Sequence, residues 1–128
     1  MMKTDNKTLK GQKAEEVALN FLKKRGHQLL EKNWRSRWGE IDLITFHQNR
    51  LYFVEVKYRE NLSFGSGYEA IHPKKQEKLM KTALLYLQKN QKASLEIKWA
   101  ACVISKGENQ VGQIDFLEFP LDLKSHYY

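Results

Sequence analysis

The fold of this chain is decided by the stretch GEIDLITFHQNRLYFVEVK, which runs from Gly39 to Lys57. Apolar and polar residues alternate with a period of two on both sides of a polar tetrad, His47 to Arg50. Two β-strands joined by a turn show this alternation. The stretch therefore predicts a β-hairpin.

The register of this hairpin brings two carboxylates face to face. A loop of two or four residues within the tetrad gives the same pairing, in which Asp42 faces Glu55 and Glu40 faces Lys57. Directly opposed side chains have Cβ atoms about 4.5–5.5 Å apart, and like charges so placed are destabilising. A divalent metal ion is the economical counter-charge for such a pair. A loop of three or five residues would instead shift the register by one residue.

An ordinary amphipathic hairpin is the alternative explanation of the same pattern. In that case the charged end is solvated, and Glu40 and Lys57 form a surface ion pair worth about 0–1 kcal/mol. Each acid nevertheless shares its strand face with apolar residues nearer the turn. We therefore expect Asp42 and Glu55 to emerge at the rim of a packed core.

The composition is that of one globular domain. The chain has 128 residues, of which 41% are apolar and 29% charged, and this length suffices for a buried core. We expect a flexible tail at residues 1–8 and a single domain over residues 9–128. No apolar run approaches the roughly 18 residues of a membrane span, and the single cysteine excludes an intramolecular disulfide. We therefore expect a cytoplasmic protein without a membrane partner.

The remaining sequence predicts an α/β fold with a mixed sheet flanked by helices. Apolar spacing predicts helices over residues 9–25 and 73–89, and alternation predicts strands over 27–34, 96–105 and 110–116 beside the hairpin. Glycines and serines predict a mobile loop over 58–71, and the tail from Leu117 has no clear pattern. In this order an antiparallel meander is joined through a right-handed helical crossover to a parallel strand.

Two polar side chains fall on the apolar faces of the predicted helices. On a helical wheel, Glu15 lies inside the apolar arc of the first helix, whereas Glu16 points away from it. A carboxylate there needs a partner, either a nearby lysine or arginine or the acidic end of the hairpin. Gln76 lies similarly on the second helix, where it is a hydrogen-bonded core amide or an accessory to catalysis.

Several motifs together resemble a known family. In chain order they are Gly11-x3-Glu15-x2-Ala18, Asn33-Trp34-Arg35, Gly39-Glu40-Ile41-Asp42-Leu43-Ile44, Phe53-Val54-Glu55-Val56-Lys57-x-Arg59, Phe64-Gly65, Lys75-Gln76-x2-Leu79 and Ala83-x2-Tyr86-Leu87. They resemble the YraN family of uncharacterised bacterial endonuclease-like proteins over about residues 9–105. An acid followed by Glu-x-Lys on the next strand also looks like the PD-(D/E)xK nuclease active site. The resemblance implies the restriction-endonuclease-like αβββαβ core, which archaeal Holliday junction resolvases share.

The resemblance further implies a metal site built on the hairpin. Asp42 and Glu55 would bind Mg²⁺ or Mn²⁺ together with the main-chain carbonyl of Val56. Glu15 would bind through water or hold a second ion. Hard divalent ions prefer such an oxygen shell. Lys57 would position the attacking water or stabilise charge that develops on the phosphate.

Two accessory positions and one departure complete this expectation. Glu40 would tune Lys57 or have a structural role, and Gln76 is the second accessory position. Family members commonly carry a Phe-Asp pair in the strand after the second helix, where this chain has Trp99 and Ala100. That acid lies outside the core acidic set, so its replacement does not imply inactivation.

A basic surface is expected to bind the substrate. Lysine and arginine outnumber aspartate and glutamate by 22 to 15, and the resulting net charge of +7 favours DNA or another polyanion as partner. Trp38 would stack on a base of a single-stranded or branched substrate, although a tryptophan beside a strand is more often part of the core. The residues expected to contact nucleic acid are Arg35, Arg37, Trp38, Arg59, Lys74, Lys75 and Lys78, and another basic run, Lys23 to Arg25, ends the first helix.

These features favour a metal-dependent endonuclease that hydrolyses DNA phosphodiester bonds, with branched or repair intermediates among the candidate substrates. The alternative is a nucleic-acid-binding accessory protein of DNA processing that does not cleave. A purely structural basic domain is the third interpretation. Paired cuts of the resolvase type would require a symmetric homodimer.

Overall fold

A computed structural model describes residues 9–59, 73–90, 95–106 and 112–120 of the chain. The elements within these ranges are α1 (Leu9–Lys24), β1 (Gln28–Ser36), β2 (Gly39–His47), β3 (Arg50–Arg59), α2 (Pro73–Asn90), β4 (Glu96–Lys106) and β5 (Gly112–Phe119). The predicted tail at 1–8 and most of the predicted loop lie outside the described residues. Neither described helix is long and apolar enough to cross a membrane.

The five described strands form one mixed sheet in the order β1-β2-β3-β4-β5. Neighbouring strands are antiparallel except β3 and β4, which are parallel and are connected through α2. This arrangement confirms the predicted α/β fold. It is compatible with the restriction-endonuclease-like αβββαβ core, which β5 extends at one edge.

The hairpin of β2 and β3 has the predicted register near its turn. Ile44 pairs with Phe53, and the last pair closes a loop of Gln48 and Asn49. These two residues have φ angles of 50° and 65°. Positive φ at both central residues is typical of a type I′ turn, whose twist matches that of the flanking strands. The two-residue loop is therefore the correct alternative.

Beyond the pair of Leu43 and Val54 the hairpin splits, and here the structure differs from the prediction. β2 continues along β1 as far as Gly39, whereas β3 continues along β4 as far as Arg59. The two strands therefore diverge at the level of Asp42. The acidic end of the hairpin lies at this divergence.

The split also changes the neighbour of Glu40. Regular pairing of β2 with β3 would place Glu40 opposite Lys57. Because the two strands diverge, that pair does not form, and the main-chain partner of Glu40 is Arg35 of β1. Continued pairing would hold Asp42 and Glu55 directly against each other, which is unfavourable for like charges. Divergence of the strands relieves that constraint while each strand keeps one hydrogen-bonded neighbour.

Apolar residues form a core on each face of the sheet, because successive residues of a strand point to opposite sides. α1 packs on one face, in a cluster that includes Ala18, Leu22, Val54 and Cys102. α2 packs on the other face, in a cluster that includes Phe53, Met80, Ala83 and Trp99. The two helices thus lie on opposite sides of the split hairpin.

Helix α1 ends at Lys24, one residue before its predicted end. The N–H groups of Gly26 and His27 donate to the carbonyls of Lys23 and Leu22, both at 3.0 Å. Gly26 has a φ of 96°. This is a Schellman motif, in which the glycine adopts the left-handed conformation that stops the helix.

Several strand ends also extend past their predicted limits. β1 runs to Ser36, and β3 includes Tyr58 and Arg59, which the sequence assigns to the loop. β5 ends at Phe119, so the patternless segment from Leu117 begins as a strand. Pairing with neighbouring strands carries these ends beyond the local sequence signals.

Candidate metal centre

Asp42 lies at the point where β2 and β3 diverge. Its side chain accepts a hydrogen bond at 2.8 Å from the main-chain N–H of Val56. Buried N–H groups need a partner, and the carboxylate supplies one where the β2 main chain has turned away. Asp42 is buried, so this hydrogen bond fixes its carboxylate at the point where β2 and β3 diverge, which we call the fork.

Three carboxylates meet at this fork. Glu15 from α1 and Glu40 and Asp42 from β2 each place one oxygen within 4.8 Å of the others. Glu15 and Asp42 are buried, and Glu40 is half-buried. The prediction that Glu15 points inward from the apolar face of α1 agrees with this position. The structure therefore adds Glu40, predicted as an accessory residue, to the acidic cluster itself.

Asn33 of β1 orients one member of the cluster, and sequence reasoning missed it. Its amide nitrogen donates to Glu15 Oε1 at 3.0 Å. Asn33 has a φ of 55°, a conformation that asparagine tolerates better than most residues. Asn33 lies opposite Asp42 in the register of β1 and β2, but these two residues do not form a main-chain pair. The only available signal is the Asn-Trp-Arg motif, which does not reveal the contact.

Arg35 supplies a positive charge beside the cluster. Its Nε donates to Glu40 Oε1 at 2.8 Å, and 46% of the Arg35 side chain is exposed. Arg35 is predicted to bind nucleic acid, and its exposure leaves room for a phosphate contact. The ion pair also places this arginine next to the candidate metal ligands.

Glu55 lies on the other arm of the fork and carries an unsatisfied oxygen. Its Oε1 is 2.9 Å from Lys75 Nζ at the start of α2. Its Oε2 is buried and has no hydrogen-bond partner among the described residues. An unsatisfied buried carboxylate oxygen is costly. Glu55 can therefore accept a further cationic partner.

Burial and charge together change the pKa values of the groups around Glu55. Burial, reinforced by the charge of Asp42, raises the pKa of Glu55 to about 7, against the opposing effect of Lys75. Burial also lowers the pKa of Lys57, and the neighbouring charge of Lys75 lowers it further. For Lys75, burial alone would lower the pKa, but Glu55 and Asp42 outweigh burial and raise it. The two lysines and two acids thus form one electrostatic unit.

The donor set fits a hard divalent cation. Carboxylate oxygens are the ligands that Mg²⁺ and Mn²⁺ prefer, and the buried Glu55 Oε2 lacks a partner within the described structure. The converging oxygens are those of Glu15, Glu40 and Asp42, and Glu55 lies outside that group although the charge of Asp42 acts on it. For Val56, the contact seen is through its N–H, so the predicted role of its carbonyl stays a prediction.

The other predicted residues include Arg37 and Trp38, which contact each other. Arg37 is exposed and its guanidinium carbon lies 5.1 Å from the Trp38 ring centre, while Lys81 Nζ lies 4.2 Å from the same ring. Trp38 is half-buried, and both cations surround its face. Among the remaining predicted residues, Lys74 and Lys78 are exposed, and Arg59 and Gln76 are half-buried.

Ala100 occupies a fully buried position. It belongs to the apolar cluster beneath α1, and it pairs with Val54, the residue before Glu55. An acidic side chain at this position would therefore lie in the core, next to the strand that carries Glu55. In this chain the residue at that position is apolar and adds no carboxylate to the fork.

Comparison with known proteins identifies relatives without a named activity. The sequence pattern of the uncharacterised protein family UPF0102 matches residues 14–116. A UPF0102 protein of Sulfurihydrogenibium sp. (strain YO3AOP1) is 46% identical over 85 residues, which cover 66% of this chain and 74% of that protein. A UPF0102 protein of Geotalea daltonii is 36% identical over 121 residues, which cover 94% of each chain. One of Pseudomonas putida (strain KT2440) is 43% identical over 89 residues, which cover 70% and 72%.

Proposed function

This chain belongs to the uncharacterised protein family UPF0102, as its resemblance to the YraN family predicts, and we propose that it is a metal-dependent nuclease. The proposed substrate is DNA and the proposed cofactor is Mg²⁺ or Mn²⁺. The reaction is the hydrolysis of a phosphodiester bond. The names of its relatives state no activity, so the proposal rests on the site.

One observation carries the proposal. Carboxylate oxygens of Glu15, Glu40 and Asp42 lie within 4.8 Å of one another. The charge of Asp42 also acts on Glu55, which has a buried oxygen without a partner among the described residues. Burying several like charges together is strongly unfavourable without compensation. Lys75 and Arg35 each hold one oxygen of one acid, and the charge of Lys57 also acts on Glu55. A divalent ion would neutralise the remaining charge.

The residues of the fork divide the chemistry between them. A bound divalent cation would polarise the scissile phosphate and lower the pKa of a water ligand. Asp42 and Glu55 would hold the cation through carboxylate oxygens, and Glu15 and Glu40 lie close enough to Asp42 to contribute. Lys57 extends from the same strand as Glu55 and donates to a phosphate oxygen, where charge develops during hydrolysis.

A non-catalytic role in nucleic-acid binding is the second candidate. The 2.9 Å ion pair of Lys75 with Glu55 favours it, because a lysine already supplies part of the counter-charge. In that case the fork is a structural cluster and the basic surface alone is functional. Calorimetric titration with Mn²⁺ separates the two candidates. Absence of binding at millimolar Mn²⁺ supports the accessory role.

Cleavage assays test the nuclease proposal directly. Supercoiled, single-stranded and branched DNA are incubated with the protein, with and without Mn²⁺. We expect Asp42→Asn and Glu55→Gln each to reduce Mn²⁺-dependent cleavage by about 100-fold or more. Glu77→Gln is the matched control, because this acid on α2 is 58% exposed and pairs weakly with Lys81 at 3.8 Å. Cleavage that persists in both fork variants would overturn the proposal.

The proposal includes a cytoplasmic location and, for paired cuts, a homodimer. A two-fold dimer would present two forks to the two strands of a branched substrate. Light scattering of the protein with and without branched DNA measures its oligomeric state. A monomer in both conditions, combined with single-strand nicking, would restrict the activity to unpaired cuts.

A further inference from the structure

A groove of about 540 Å³ lies between β1 and the second half of α2, outside the candidate metal centre. We call it the β1–α2 groove. Its lining includes Trp34, Arg35, Arg37, Leu85, Gln88 and Lys89. β1 is the first strand in the sheet order, so the groove follows an edge of the described sheet.

The walls of the groove are held by contacts between the two elements. Ser36 Oγ and Thr82 Oγ1 form a hydrogen bond at 2.9 Å. The rings of Trp34 and Tyr86 pack edge to face with centroids 5.4 Å apart. Binding sites for small ligands are usually preformed in this way. The groove therefore exists before any ligand enters.

The groove is cationic. Its lining contains three cations, Arg35, Arg37 and Lys89, and no acid. Leu85, which is 36% exposed, adds an apolar surface, and Gln88 adds an amide. The cations can bind the phosphate of a nucleotide, and the amide can bind the edge of its base. The apolar surface can contact the face of the base.

The groove adjoins the metal centre through Arg35. This residue lines the groove and also donates to Glu40 of the acidic cluster at 2.8 Å. A nucleic-acid strand that a metal ion holds at the acidic fork can therefore continue past Arg35 into the groove. The fork would contact the phosphates through its metal ion, whereas the groove would contact them through its own cations.

The size of the groove restricts the form of that ligand. The groove is open on one side, and its volume of about 540 Å³ is that of a site for a drug-sized molecule, so one nucleotide fills it whereas a base-paired duplex is too wide to enter. We propose that the β1–α2 groove binds an unpaired nucleotide of the substrate, next to the cleavage site. This inference rests on the proposed function, and it selects substrates with a single-stranded segment over continuous duplex.

Binding measurements without metal test the groove. Fluorescence anisotropy in EDTA compares a blunt duplex with the same duplex that carries a short single-stranded tail. We expect the protein to bind the tailed duplex more tightly. Arg37→Glu and Lys89→Glu should each remove most of the gain from the tail. Each lost contact to a single-strand phosphate should also lower the salt slope of tail binding by about 0.7.

Lys13→Glu is the matched control. Lys13 is an exposed cation of α1, on the face of the sheet opposite α2, and the same charge reversal there should leave the tail preference unchanged. The three altered side chains are exposed, and thermal unfolding checks that each variant folds. Equal affinity for tailed and blunt duplex, or an equal loss in Lys13→Glu, would overturn the inference.

The same measurements separate the groove from the nuclease proposal. A tail preference in EDTA combined with no Mn²⁺ binding would keep the groove and remove the metal centre. Mn²⁺-dependent cleavage of blunt and tailed duplex at equal rates and affinities would keep the metal centre and remove the groove.

Discussion

At the scale of single residues, the site depends on two unfavourable features, a strained backbone angle and a buried oxygen without a hydrogen bond. Asn33 has a positive φ inside a strand, and Glu55 is buried with an unsatisfied oxygen. Each of these features costs stability. Both occur at the fork of the hairpin, where they position or compensate carboxylates. The loss of stability that they cause is therefore linked to the site, and substitutions at these two residues measure it.

Asn33 should control metal affinity through Glu15. Asn33→Gly keeps a residue that adopts positive φ readily but removes the amide that donates to Glu15 Oε1 at 3.0 Å. Loss of such an orienting contact typically weakens metal binding about 10–100-fold. Calorimetry with Mn²⁺ measures the change in Kd.

The control for this variant is Asn49→Gly. Asn49 also has a positive φ, 65°, but lies in the hairpin turn away from the fork. The same substitution there should leave the Mn²⁺ Kd unchanged. An unchanged Kd in Asn33→Gly as well would show that the asparagine only satisfies the backbone conformation.

Glu55 should make stability depend on pH in the absence of metal. Its pKa is raised to about 7 in the folded protein, above the ordinary value of about 4.3. The folded state therefore binds more protons than the unfolded state between these values, and the contribution of Glu55 to stability falls as pH rises through this window. Above pH 7 the full cost is present.

Comparison with Glu55→Gln isolates this contribution. Between pH 5 and 8 in EDTA, the free energy of unfolding of the wild type should fall by about 1–3 kcal/mol relative to the variant. His27, whose pKa burial lowers to about 4, titrates in both proteins and cancels in the difference. Urea unfolding measures both curves. Parallel curves over this range would contradict the raised pKa.

At the scale of elements, hydrogen-bonded ends define where helices and strands stop. The Schellman motif after α1 turns the chain into β1, which carries Asn33 to the fork. Gly26 makes this turn possible, because it has a φ of 96° and a Cβ at this position would lie 3.1 Å from the His47 ring. The position of Asn33 thus depends on how α1 ends.

Gly26→Ala should destabilise the protein by about 1–2 kcal/mol, because an L-residue is strained in the left-handed region. Gly112→Ala is the control. A Cβ at Gly112 would meet the Ser105 carbonyl oxygen at 3.5 Å, an ordinary contact, without positive φ. Chemical denaturation of both variants gives the difference. Equal losses at the two sites would show that the helix end adds no specific constraint.

At the scale of the whole molecule, the sequence predicts what depends on local patterns. Alternation predicts the hairpin and its register at Ile44, and helical spacing predicts that Glu15 points inward. The split of the hairpin is not predictable in this way, because it results from the competition of β1 and β4 for the main chains of β2 and β3. The contact of Lys75 with Glu55 joins residues far apart in the chain and leaves no periodic signal.

Metal binding should stabilise the whole molecule, because the fork joins α1, β2 and β3. A ligand that binds the folded state alone adds about 2.7 kcal/mol at a concentration of about 100 times its Kd. For a domain of this size, that raises Tm by several degrees. Differential scanning calorimetry with increasing Mn²⁺ should show this rise in the wild type and in Glu77→Gln. Asp42→Asn should abolish it, since the lost carboxylate charge lies at the centre of the cluster. An equal rise in Asp42→Asn would show that Mn²⁺ binds elsewhere, and the acids of the fork would then need no metal ion as a counter-charge.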